Sequence, residues 1–221
     1  MKQQSTIQLF GKPQETYYLL GLLGVFVSIV FLGILSLDGK YALIDLVINF
    51  LTAITIVYVF NVVKAFITDK VEYTYYHYYL LILASIIVIN WWINNPVLQY
   101  LDVAVICLSI IGAVGRIGCY HSGCCHGKLI DRGDGNEPLF FPVQLIESGL
   151  HTINAIIGIC LIIRSVEFGL ITQLLVGNYA IGRFLLEFKR GDKRPFLWGY
   201  SEAQWTSFFL ILILITYNIF L

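Results

Sequence analysis

Residues 17–36 read YYLLGLLGVFVSIVFLGILS, twenty consecutive positions without a charge. About 20 apolar residues in a helix cross the hydrocarbon core of a bilayer, so this stretch predicts a transmembrane helix. Residues 41–63 form a second such run, with Asp45, Asn49 and Asn61 inside it. Residues 73–101 carry no formal charge but are too long for one crossing. Asn94-Asn95-Pro96 is a turn signal. It divides the stretch into a third span ending near Ile93, with Trp91 and Trp92 at the interface, and a fourth over 97–114. Asp102 sits awkwardly near the start of the fourth. Spans over 143–163, 168–188 and 203–221 complete the pattern. The expected fold is all-α, a polytopic membrane protein with about seven transmembrane helices, and 1–221 reads as a single integral membrane domain.

Composition agrees. Apolar residues make up 58% of the chain, charged residues 13%, and the mean hydropathy is +0.78. Water-soluble domains are about half apolar and about one-quarter charged, so disorder, a basic arm for nucleic acid and an ordinary cytosolic enzyme are excluded. The net charge is zero, and no nucleic-acid partner is implied. Residues 1–16 are too polar for a cleaved signal peptide. Of five cysteines, Cys107 and Cys160 lie in apolar runs and read as small hydrophobes.

The polar residues are concentrated in three segments. Residues 115–128 read GRIGCYHSGCCHGK, within a Gly-, Cys- and His-rich loop expected over 115–142. Residues 141–147 read FPVQLIE, and residues 178–192 read NYAIGRFLLEFKRGD. With seven spans all three fall on one side. Arg116 closes the fourth span, Gln144 and Glu147 open the fifth, and Arg183 and Glu187 share a face in the last turns of the sixth. For one pair alone, a helix-stabilising role would suffice. Convergence of three segments favours a site, and guanidinium groups bind phosphate in a bidentate fork. An anionic lipid headgroup is the ligand such arginines would hold at an interface.

The order GRIGxxxxGxxxG, PxQLxE and YxxGRFLLEFxRGD resembles the prolipoprotein diacylglyceryl transferase family of bacterial inner membranes. The likeness covers roughly residues 111–215, and residues 201–207, SEAQWTS, resemble the start of that family's last span. The resemblance implies transfer of diacylglyceryl from phosphatidylglycerol to the lipobox cysteine of a lipoprotein precursor, with glycerol phosphate leaving. It implies a multi-pass protein of the inner (plasma) membrane, partnered by phosphatidylglycerol, the precursor's signal peptide and the bilayer, with no metal or organic cofactor. It assigns catalytic roles to Arg116, Arg183, Glu147 and Glu187; His121 or His126, with His77 as the alternative, is the candidate base for the acceptor thiol, which attacks only as a thiolate. Arg116, Arg183, Gly115, Gly118, Gln144, Tyr179 and Gly127 would form the substrate-binding set. The chain departs from the family signature GRxGNFxNxExxG, having Cys119 and Ser122 in place of asparagines, Tyr120 for Phe and Cys124 for Glu. Phe141 replaces the family's His, and His77 stands near the family's histidine-glycine-glycine segment without the glycines.

Two readings compete with parts of this one. Cys119, His121, Cys124, Cys125 and His126 are five metal-ligating residue types within eight positions, consistent with a metal-binding or thiol-redox membrane protein or with plain loop packing. A non-catalytic lipid-binding relative is the third possibility. Sidedness is also contested. Lys64, Lys70, Arg116, Lys128, Arg132, Lys189, Arg190, Lys193 and Arg194 all fall on the N-terminal side, which the positive-inside rule places in the cytoplasm. The resemblance implies the reverse, a catalytic face looking outward and a cytoplasmic C-terminus.

Overall fold

The computed structural model describes residues 6–9, 12–68, 75–130, 139–191 and 196–220. Seven helices follow one another within them: α1 Thr16–Leu37, α2 Leu43–Thr68, α3 Tyr75–Trp92, α4 Val97–His121, α5 Val143–Ile163, α6 Leu170–Glu187 and α7 Glu202–Phe220. Five of these, α1, α2, α4, α5 and α7, are long and apolar enough to cross a membrane, and residues 76–92 of α3 form a shorter apolar helix. Three two-stranded antiparallel hairpins complete the fold: β1 Thr6–Leu9 with β2 Lys12–Glu15, β3 Leu129–Ile130 with β4 Leu139–Phe140, and β5 Phe196–Leu197 with β6 Tyr200–Ser201.

The expected spans and the Asn94 turn are present, Asn94 adopting φ 56°. The fourth span differs. The helix runs to His121, so Arg116 lies inside α4, and the first seven positions of the expected loop are helical. Gly112, Gly115 and Gly118 do not break it. Gly118 instead lets α1 approach, since a Cβ there would stand 3.3 Å from the Cα of Tyr17. Small residues permit such close helix contacts in membranes.

The bundle is apolar outside, and inside it combines an apolar core around Val105, Ile106, Ile171 and Leu175 with buried polar groups. Phe26, Tyr58, Phe66, Ile156, Ile163 and Ile213 are exposed, whereas Ser28, Asn90, Glu147 and Asn154 are buried. α4 is the central helix, packed against α1, α3, α5 and α6. Its lower half explains Asp102. The Asp102 carboxylate accepts hydrogen bonds from the backbone N–H of Gly169 at 2.7 Å and of Thr172 at 2.7 Å, and from the Thr172 hydroxyl at 2.6 Å. It thus caps the N-terminus of α6, where orphan N–H groups and the helix dipole favour an anion. Nearby, Asn49 and Asn90 exchange side-chain amide bonds between α2 and α3, and Tyr100 donates to Asp45 at 2.9 Å.

Asp102→Ala is expected to destabilise the protein through two orphaned buried N–H groups at about 1–3 kcal/mol each. Thermal unfolding in detergent micelles measures this. A melting temperature equal to that of the parent chain would contradict the capping role.

Candidate functional site

Glu147 sits one turn into α5 and is fully buried. Its Oε1 lies 2.9 Å from Arg116 Nη2 of α4 and 3.7 Å from Arg183 Nε of α6. Its Oε2 lies 3.6 Å from Nη1 of Arg190, just past the end of α6. Arg183 Nη1 also meets Glu187 Oε2 at 2.9 Å, the pair one turn apart on α6. All five groups are buried. Three guanidinium groups therefore surround two carboxylates.

Tyr179 links this cluster to a stack of rings. Its hydroxyl donates to Glu147 Oε1 at 3.0 Å. Its ring lies over His151 of α5 at 4.6 Å and against Tyr76 of α3 at 5.7 Å, and Tyr76 meets the Ser207 hydroxyl of α7 at 2.9 Å. Five helices thus contribute to one polar centre. α7 is fixed at its start by a reciprocal cap: Gln204 Oε1 accepts from Ser201 N at 2.9 Å, and Ser201 Oγ accepts from Gln204 N at 3.3 Å.

The glycine-rich segment docks onto the cluster by backbone pairing. Gly127 N donates to Phe141 O at 3.1 Å, Lys128 N to Lys189 O at 2.8 Å and Gly191 N to His126 O at 3.1 Å. A Cβ on Gly127 would fall 2.4 Å from Phe141 O, and one on Gly191 would fall 2.5 Å from Gly127 O. These contacts hold Arg190 over Glu147. Gln144 Nε2 donates to Cys124 O at 2.7 Å, tying the same loop to α5.

Beside Arg116, the Sγ atoms of Cys119, Cys124 and Cys125 lie within 4.8 Å of one another. His121 and His126 are not part of this group. Hydrogen bonds from Cys119 and Cys124 pull the Cys125 thiol below its ordinary range, and the charges of Arg116 and Arg190 act in the same direction. Hydrogen bonding with Cys119 and then with Cys125 pushes the Cys124 thiol up.

The structure therefore brings Arg116, Arg183, Glu147, Glu187 and Tyr179 together, as the sequence suggested. Gln144 and Gly127 shape the loop beside them, Gly118 packs against α1, and Gly115 has open space where a Cβ would stand. His121 lies edge-on to Tyr120, and His126 lies tilted against Phe140 with ring centroids 4.3 Å apart. His77 Nε2 contacts Glu202 Oε1 at 2.7 Å, where α3 meets the start of α7. Sequence reasoning missed His151 and the ion pair of Arg190. His151 follows Glu147 by four positions on α5, which is the spacing that places both on one face.

A family model described as prolipoprotein diacylglyceryl transferase matches residues 78–220. The chain belongs to that family. It is 32% identical over 130 residues to a phosphatidylglycerol–prolipoprotein diacylglyceryl transferase of Clostridium tetani, covering 54% of this chain and 52% of the relative. It is 30% identical over 134 residues to phosphatidylglycerol–prolipoprotein diacylglyceryl transferase 2 of Clostridium perfringens, covering 56% and 52% respectively. The chain spans about half the length of these curated relatives. The family match contains the whole Arg116–Glu147–Arg183–Arg190 cluster and begins within α3, so β1, β2, α1 and α2 precede it.

Glu147→Ala is expected to cost about 3–5 kcal/mol, because removing one partner strands buried charges. Tyr179→Phe removes one hydrogen bond to a charged group and should cost about 1.5–3 kcal/mol. Thermal unfolding of both variants tests the ranking. A Glu147→Ala protein as stable as the Tyr179→Phe protein would contradict the central role of the carboxylate.

Proposed function

We propose that this chain transfers diacylglyceryl from phosphatidylglycerol to the lipobox cysteine of a lipoprotein precursor, in the inner membrane of a bacterium. One observation carries the reading. Among the described residues, three buried guanidinium groups converge on two carboxylates at one end of the bundle. Guanidinium groups bind phosphate in a bidentate fork, and a lipid phosphate is the anion such a convergence of arginines would hold. The two clostridial relatives, both phosphatidylglycerol–prolipoprotein diacylglyceryl transferases, suggest the lipid and the acceptor class.

In this mechanism Arg116 and Arg183 hold the phosphate. They stabilise the charge that grows on the departing glycerol phosphate, as fixed donors do in a water-poor site. Glu147 and Glu187 keep both guanidinium groups in place, and Arg190 adds a third positive charge from the docked loop. The acyl chains lie along the apolar groove between α6 and α7 lined by Gly177, Ile181, Leu214 and Ile215. The acceptor must attack as a thiolate. Of the three histidines proposed as its base, His77 has the carboxylate partner that orients a general base.

Mass spectrometry of a precursor peptide, incubated with the purified chain and phosphatidylglycerol, tests the reaction directly. A mass gain of one diacylglyceryl group on the cysteine is expected. Arg116→Gln and Arg183→Gln should each lower the rate by about 10²–10³ while the protein still inserts, the usual loss for a charge-stabilising donor. Near-parental turnover in either folded variant would sink the phosphate role.

The acceptor cysteine of an exported precursor lies at the outer membrane surface, so the cluster must face outward. The turn Trp198-Gly199 between β5 and β6 is on the cluster side, and Trp198 is exposed. A single Trp198→Cys, in an otherwise cysteine-free chain, should react with an impermeant maleimide in intact spheroplasts. Reaction only after lysis would reverse the orientation and remove exported precursors as substrates.

A further inference from the structure

Nothing in the lipid-phosphate reading uses the three thiols beside Arg116. We propose that Cys119, Cys124 and Cys125 bind one zinc ion with an open fourth position, and that the acceptor cysteine takes that position as a thiolate. The second half of this inference rests on the transfer reaction proposed above; the first half does not.

The geometry is that of a site needing little adjustment. Zinc–sulfur bonds are about 2.3 Å, so sulfurs around a tetrahedral zinc stand about 3.8 Å apart. The three Sγ atoms already lie within 4.8 Å of one another. They come from two elements, Cys119 in the last turn of α4 and Cys124 and Cys125 in the turn beyond it. That turn is bent to bring them back. Gly123 has φ 67° and Cys125 has φ 57°, a left-handed conformation uncommon for a residue other than glycine. Cys124 N donates to Cys119 O at 3.2 Å, and Gln144 clamps Cys124 O from α5. Backbone strain of this kind is kept where the surroundings impose it, and it clusters at functional sites. Packing alone would not require three thiols. Two of them, Cys119 and Cys124, replace the Asn and Glu of the family signature.

The coordination chemistry follows from the ligand set. Three thiolates suit a borderline-soft ion such as zinc, and a zinc site with three protein ligands keeps a fourth position for a substrate. Cys119 is buried while Cys124 is exposed, so the site has one closed side and one open side. The thiolate charge sits beside Arg116 and Arg190 and, on the open side, in water. Among the described residues no histidine or carboxylate joins the thiol group, and we assign the fourth position to the acceptor.

A metal-bound thiol is deprotonated outright. The acceptor's S–H bond breaks as its sulfur binds zinc, and the proton leaves to water at the exposed rim, so that zinc takes the place of the histidine base in this step. The thiolate then forms a C–S bond with the terminal glycerol carbon of the diacylglyceryl group. The bond from that carbon to the phosphate oxygen breaks, and its electron pair leaves with glycerol phosphate, held by Arg116 and Arg183. No oxidant or reductant is consumed.

The test uses the full chain in micelles. Elemental analysis after purification should find about one zinc per chain, falling below about a tenth in the Cys119→Ser, Cys124→Ser, Cys125→Ser triple variant. Cys124→Ser alone changes an exposed side chain and keeps the comparison valid if the triple variant unfolds; it too should lose most of the metal. Cobalt substituted for zinc should show thiolate charge-transfer bands. Those bands should shift when a precursor peptide with cysteine is added, and not with its serine counterpart. Only about 3% of a free thiol is ionised at pH 7, so the triple variant should transfer about 30-fold more slowly at pH 7 and within about 2-fold of the parent at pH 9. Zinc retained equally in the variants, or a trigonal copper(I) site indifferent to peptide, would overturn the proposal. A cobalt spectrum that responds to the peptide in a chain that never transfers lipid would instead uphold the site and overturn the transferase reading.

Discussion

A carboxylate at the centre of an apolar bundle must be neutralised, and Glu147 draws cations from three separate segments to do it. Desolvating such an ion costs several kcal/mol, recovered only when geometry and hydrogen bonding are both good. That requirement fixes the rest of the fold. Arg116 must reach Glu147 from α4, so the rotation of α4 against α5 is set. Arg183 must reach it from α6, whose own start is tied to α4 by Asp102. Arg190 arrives only because Gly127 and Gly191 let two loops pair at a distance that a side chain would forbid.

The same economy explains where the other polar groups lie. A bilayer offers backbone and side chains no water, so polar atoms in the spans must find partners inside the bundle. Asn49 pairs with Asn90, and Asn154 donates to the Leu175 carbonyl. Asp102 serves helix N-terminal N–H groups that its own helix does not contain. These bonds hold the end of the bundle remote from the cluster. The cluster end gathers three arginines around one buried carboxylate, the kind of donors a phosphate site needs.

Hydropathy made the spans legible because length and the lack of charge are both imposed by the bilayer. The limits of α5 at residues 143 and 163 follow directly from Pro142 and Arg164. The convergence of Arg116, Glu147 and Arg183 was legible because a consistent side assignment of the spans puts them together. The extension of α4 to His121 was hidden by its glycines, which read as loop signals but act as contact points for α1. Arg190 was hidden because its position depends on pairing between loops 127–128 and 189–191, a contact far apart in sequence. The grouping of three cysteines without the histidines depends on backbone angles at Gly123 and Cys125 that no spacing rule reports. Asp192, Lys193 and Arg194, and residues 131–138 of the long loop, lie outside the described residues.

The central claim is that the arginines gathered around Glu147 hold a lipid phosphate. Native mass spectrometry of the chain, exchanged into micelles with equal phosphatidylglycerol and phosphatidylcholine of matched acyl chains, measures it directly. One phosphatidylglycerol should be retained in preference to phosphatidylcholine, displaced by glycerol phosphate, and lost on Arg183→Gln in a protein that remains folded. Equal retention of both lipids, unchanged by that substitution, would contradict it.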